Sequence, residues 1–88
     1  MLKIVFVDDE KSVCEEVDEA LSWLGCEVHT FVDPTDCWEF LVSNYEKVDV
    51  LVTDLMMPKI DGAELIQRCL SRFGCKMRFV LISGELES

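Results

Sequence analysis

The sequence predicts an α/β protein with a doubly wound parallel sheet. Two apolar, β-branched runs, Lys3 to Val7 and Val48 to Thr53, each stop at carboxylates: Asp8 and Asp9 after the first, Asp54 after the second. Segments of helical period separate these runs from two further apolar ones, and strands alternating with helices imply parallel pairing through right-handed crossovers. In such a sheet every strand turns its C-terminal end to the same edge, where open α/β sheets bind their ligands. Neighbouring first and third strands would therefore bring Asp8, Asp9 and Asp54 to one spot.

Each element has a local reason. Lys3-Ile-Val-Phe-Val7 is short, β-branched and aromatic without alternation, as a strand buried on both faces should be. Ser12 with Glu15 three positions on forms a capping-box pattern for a first helix. Val13, Val17, Ala20, Leu21 and Leu24 give that helix an apolar face, and Gly25 suits a left-handed stop. Cys26 to Phe31 alternates weakly and reads as a second strand near an edge. Asp33-Pro34 places an N-cap before a proline at the first helical position. Trp38, Leu41, Val42 and Tyr45 then supply the buried side of the second helix. Asp61 with Glu64 repeats the capping box. Ala63, Leu65, Ile66, Cys69, Leu70 and Phe73 form the apolar side of a third helix that ends at Gly74. Met77 to Ser83 is a fourth strand. The order is β-α-β-α-β-α-β, one domain within 88 residues, with no repeats or linkers.

Composition narrows the function classes. The net charge of −10, from 18 acidic and 8 basic residues, argues against direct nucleic-acid binding, which needs clustered Lys and Arg. No apolar run nears the roughly 18 residues of a membrane span. No basic segment leads into an apolar stretch and cleavage site, so the expected compartment is the cytoplasm. The five cysteines, Cys14, Cys26, Cys37, Cys69 and Cys75, are odd in number and lack Cys-x-x-Cys spacing, which predicts free, reduced thiols. The lone His29, between apolar neighbours, reads as a strand residue rather than a metal ligand.

The strand ends carry the chemistry. Three carboxylates packed together repel unless a cation sits among them. Oxygen-only donors favour Mg²⁺, which takes one or two carboxylates together with water and phosphate oxygens. With such a cation, Asp54 becomes a nucleophile for a phosphoryl group. Ser83, at the end of the fourth strand, can offer that group a hydroxyl.

Three motifs carry a family likeness: Val5-Phe-Val-Asp-Asp-Glu10, Thr53-Asp-Leu-Met-Met-Pro-Lys-Ile-Asp-Gly62 and Val80-Leu-Ile-Ser-Gly84. With them the chain resembles the receiver domain of two-component response regulators, the CheY-like family. The resemblance implies a flavodoxin-like sheet with strand order 2-1-3-4, extended by a fifth strand in the family. It implies Asp54 as phospho-acceptor, receiving its phosphoryl group from a phosphohistidine on a sensor histidine kinase or phosphotransfer protein. It further implies Asp9 as direct magnesium ligand, Asp8 as ligand directly or through water, Asp54 and the Met56 backbone carbonyl as the remaining protein ligands, and Ser83 as the hydroxyl that tracks the phosphoryl group. Pro58, Asp61 and Gly62 turn the loop and start the third helix. Such a module is a signalling domain rather than an enzyme, at most catalysing its own phosphorylation and dephosphorylation.

Against the family pattern, residues 1–88 lack a last helix-strand-helix of roughly 35 residues. The fifth-strand lysine and switch aromatic fall in that part, and neither Lys59 nor Lys76 replaces the lysine. The fourth strand then becomes an apolar sheet edge, and one sheet face lacks a covering helix. Both features predict a homodimer or higher assembly, by edge pairing or exchange of elements. Two other functions remain in play: an unphosphorylated interaction or scaffold fragment, and a haloacid-dehalogenase-type phosphatase. The latter calls for Asp-x-Asp after the first strand, which Asp8-Asp9-Glu10 does not supply.

Overall fold

The computed structural model describes residues 1–74 and 76–83, so the expectations for Cys75 and Gly84 lie outside the described residues. The elements run β1 (Lys3–Val7), α1 (Lys11–Trp23), β2 (Glu27–Phe31), α2 (Pro34–Asn44), a 3₁₀ turn (Tyr45–Lys47), β3 (Val50–Asp54), α3 (Gly62–Phe73) and β4 (Arg78–Ile82). The sheet is parallel throughout, in the order β2-β1-β3-β4. Val7 pairs with Phe31 on one side and Thr53 on the other, and Asp54 pairs with Ile82. β1 is thus central and β2 lies at an edge, as the weak alternation of Cys26 to Phe31 predicts.

The main core fills the face covered by α2 and α3. Val5, Val7 and Leu51 meet Cys37 and Leu41 from α2, Leu65, Cys69 and Phe73 from α3, and Met77 before β4. Gly62, Leu65, Cys69 and Phe73 follow one another at helical spacing and are the buried residues of α3. Full burial of a Val or Leu side chain stabilises the fold by about 1.5–3 kcal/mol, and Val5, Val7, Leu41, Leu51 and Leu65 are all fully buried. Trp38 and Tyr45 both stack on Phe73, with ring centroids 5.5 and 4.4 Å away, and so pin α2 to α3. Tyr45 makes this contact from the 3₁₀ turn rather than from α2.

Ile4, Phe6 and Cys14 are buried but stand apart from that cluster, on the α1 side of the sheet. This side is thinner. Of the expected apolar face of α1, Val13, Val17 and Leu21 are half-buried, whereas Ala20 and Leu24 are exposed. The reason is that α1 packs on β1 and β2 with no second helix beside it among the described residues. On β4, Val80, Leu81 and Ile82 each keep 46% of their surface exposed, which fits the predicted apolar edge.

Helix ends follow the sequence in two of three cases. Asp33 accepts the Thr35 N–H at 2.9 Å ahead of Pro34, and Asp61 accepts the Glu64 N–H at 2.8 Å. The Glu64 carboxylate instead pairs with Arg68 at 2.8 Å, so the Asp61 box is not reciprocal. Ser12 is not a cap: α1 starts two residues earlier than a Ser12 cap would place it, with Glu10 at the N-cap and no side-chain cap bond. The Glu10 N–H is already taken by Asp8 Oδ1 at 2.9 Å, and that turn sets the start of the helix. Gly25 does take the left-handed conformation, φ 90°, after α1.

Gly62 has a different reason from the turn expected of it. Its N–H donates to the Leu55 carbonyl at 2.9 Å, and α3 begins directly against the backbone of Asp54. A methyl group at position 62 would collide with the Asp54 carbonyl oxygen and lie 2.8 Å from Leu81 Cδ1. Gly62→Ala should therefore destabilise the protein by about 1–3 kcal/mol, despite alanine's higher helix propensity. A urea unfolding midpoint below that of wild type checks this.

Candidate metal and phosphoryl-acceptor site

The C-terminal edge of the sheet collects the predicted carboxylates. Asp8 follows β1, and its backbone N–H bonds to the Phe31 carbonyl at 3.0 Å, continuing the ladder to β2. Asp54 is the last residue of β3, flanked by β1 and β4. Ligand oxygens of Asp8, Asp9 and Asp54 all lie within 4.8 Å of one another. Asp8 and Asp54 are half-buried, and Asp9 is exposed to solvent.

The residues around the cluster fix it. Thr53 is fully buried and its Oγ1 donates to the Asp54 carbonyl at 2.9 Å, satisfying the hydroxyl where no water reaches. The Leu55 N–H bonds to the Ile82 carbonyl at 2.8 Å, so β3 and β4 stay paired past Asp54. Cys14 donates its thiol to the Asp8 carbonyl at 3.3 Å and approaches the Phe31 carbonyl at 3.6 Å. Burial first, and the neighbouring Asp8 charge second, raise the Cys14 pKa, which keeps the thiol protonated as a donor.

The other named residues are less tightly gathered. Met56 lies in the loop after β3 with 61% of its surface exposed, while Met57 is buried in the core. Ser83 directly follows Ile82, the β-partner of Asp54, and is half-buried on the same rim. His29 lies in β2, 2.8 Å from Glu27 and packed on Phe40. Two positions escaped the sequence reading. Thr53 left a faint signal, a hydroxyl in an apolar strand just before Asp54. Cys14 left none, since its bonding to Asp8 depends on where α1 lands.

Electrostatics agree with a cation site. Partial burial raises the Asp8 pKa above the ordinary carboxylate value; the charges of Asp54 and Asp9 add to this, and the Glu10 N–H opposes it. Three oxygen donors from one strand end and the loop of its neighbour suit a hard divalent cation. The donor set therefore fits magnesium.

Residues 4–88 match the family described as the response regulator receiver domain. Among curated proteins, the chain is 39% identical over 66 residues to the regulatory protein VanRc of Enterococcus gallinarum. It is 34% identical over 70 residues to the response regulator MprA of Mycobacterium ulcerans. These stretches cover 75% and 80% of this chain, but 28% and 29% of those proteins. Among solved structures, a receiver domain protein of Clostridium thermocellum superposes with TM-score 0.91 at 26% identity, covering 99% of this chain and 70% of that one. The receiver domain of Francisella response regulator 1452 gives TM-score 0.84 at 25% identity, covering 100% and 69%.

The raised Asp8 pKa has a testable sign. A carboxyl whose folded pKa exceeds its unfolded value weakens the fold as pH rises from the unfolded pKa through the folded one, and the cost is in full force at neutral pH. Asp8→Asn should therefore raise the melting temperature of the metal-free protein at pH 7. That gain should fade as the pH falls through the folded pKa and be gone below the ordinary value of 3.8, where Asp8 is protonated in both states. Thermal melts of both proteins across pH 3–7 check it.

Proposed function

This chain belongs to the response regulator receiver domain family, and on that premise we propose that it accepts a phosphoryl group on Asp54 in two-component phosphorelay signalling. Receiver domains are signalling modules, and the present one is read as a single unit over residues 1–88. The observation that carries the proposal is the cluster of Asp8, Asp9 and Asp54 at the C-terminal sheet edge.

The donor is a phosphohistidine on a sensor kinase or phosphotransfer protein. An Asp54 carboxylate oxygen attacks phosphorus, a P–O bond forms, the P–N bond breaks, and the imidazole nitrogen keeps the electron pair. Asp54 becomes an acyl phosphate. Asp9, Asp8, Asp54 and the Met56 carbonyl would hold Mg²⁺, which when bound offsets the negative charge of the entering phosphoryl oxygens. Ser83 offers its hydroxyl to those oxygens from the neighbouring strand end. Thr53 and Gly62 hold the Asp54 backbone still while its side chain reacts.

Among the described residues no helix is long and apolar enough to cross a membrane. A cytoplasmic site of action fits the proposed kinase partner. The exposed Val80, Leu81 and Ile82 of β4 favour self-association through that edge or the sheet face beside it.

Incubation with Mg²⁺ and acetyl phosphate, followed by intact mass measurement, tests phosphorylation. One phosphoryl adduct is expected on wild type and none on Asp54→Asn; no adduct on either would favour an unphosphorylated interaction module. Light scattering at high micromolar concentration tests association, with a dimer mass expected and a stable monomer counting against it.

A further inference from the structure

The rim of the site carries an ion pair that the proposed chemistry leaves unused. Lys59 Nζ donates to Asp33 Oδ2 at 2.9 Å, linking the loop after β3 to the start of α2. The other oxygen of Asp33, Oδ1, accepts the Thr35 N–H at 2.9 Å and caps α2. One carboxylate thus joins the loop after β3 to a capped helix end. Lys59 takes φ 71°, a left-handed conformation that costs a non-glycine residue energy and needs a compensating contact. On either side of it, the Ile60 N–H bonds to the Pro58 carbonyl and the Gly62 N–H to the Leu55 carbonyl, both at 2.9 Å.

The pair also borders the acidic cluster. An open cleft of about 390 Å³ is lined by Asp9, Val32, Asp33, Pro34, Pro58 and Lys59. The charges hold one another in place: Lys59 first and the Thr35 N–H second depress the Asp33 pKa, and Asp33 raises that of Lys59.

We propose that the Lys59–Asp33 ion pair is a positioning strap: it ties the loop that follows Asp54 and carries Met56 to the capped end of α2, and so readies the site for a divalent cation. The metal half of this rests on the reading that the cluster takes magnesium. Neither residue touches the cation or the phosphoryl group; both act through the loop.

The sign of two isosteric substitutions separates a strap from plain charge. Beside a cation site, Lys59 repels and Asp33 attracts. Charge removal alone would tighten magnesium binding in Lys59→Gln and weaken it in Asp33→Asn. A strap is broken by either change, and asparagine still caps α2. Calorimetric titration of MgCl₂ into the whole chain should show about threefold weaker binding in each variant, the scale of an exposed ion pair. The double variant should be no weaker than the singles, and Lys59→Arg should match wild type. Opposite signs, additive losses or unchanged affinity would overturn the strap. Amide hydrogen exchange on metal-free protein gives a second readout: Ile60 and Gly62 should exchange faster in both isosteric variants and not in Lys59→Arg. Unchanged exchange overturns the strap even where wild type takes up no magnesium. Faster exchange without magnesium uptake keeps the strap and removes the metal reading instead.

Discussion

Three carboxylates within 4.8 Å of one another repel, and the rest of the molecule has to hold them there. The restraint is mostly apolar. Asp8 and Asp54 are the residues at which two buried strands, Val5–Val7 and Leu51–Thr53, run out of core. Pulling either carboxylate back would unzip a strand whose side chains are packed between helices. The raised Asp8 pKa shows the cost of that placement. A cation placed among the three carboxylates would offset that repulsion.

Backbone detail refines what the core imposes. Thr53 and Gly62 act on the same atom, the Asp54 carbonyl oxygen: one donates a hydrogen bond to it and the other leaves it room. Cys14 does a similar service for Asp8 from the far side of the sheet. These contacts turn two strand ends into fixed mounting points, while Asp9 and Met56 on the adjoining loops remain open to solvent. Buried strand ends therefore hold Asp8 and Asp54, and the exposed residues of the site lie on loops.

Much of this was legible from residue order. Apolar runs ending in Asp8-Asp9 and Asp54 gave the strands, their parallel sense and the point of convergence, because strand direction and ligand edge are linked in open α/β sheets. Asp33-Pro34 and Asp61 marked helix starts through local bonding that needs no tertiary partner. Ser12 misled because the Asp8 turn claims the Glu10 N–H and starts the helix early. Ala20 and Leu24 misled because periodicity reports a face without reporting whether anything covers it. Gly62 was recognised as structural, but its close approach to Asp54 is a distance in space that no local pattern encodes. The Lys59–Asp33 bond joins residues far apart in sequence and was equally invisible.

The strand order has a further consequence for how the chain matures. β1 precedes the other three strands in chain order, yet it is central, with β2 on one side and β3 on the other. While a ribosome is still producing the segment after α2, β1 can dock with β2 and α1, but its other edge stays open. Parallel pairing of this long-range kind is slow compared with local helix formation. The acidic site thus cannot exist in any early intermediate: it comes into being with the closing of β3 onto β1. The three carboxylates therefore meet through that single pairing, before α3 and β4 are added in chain order.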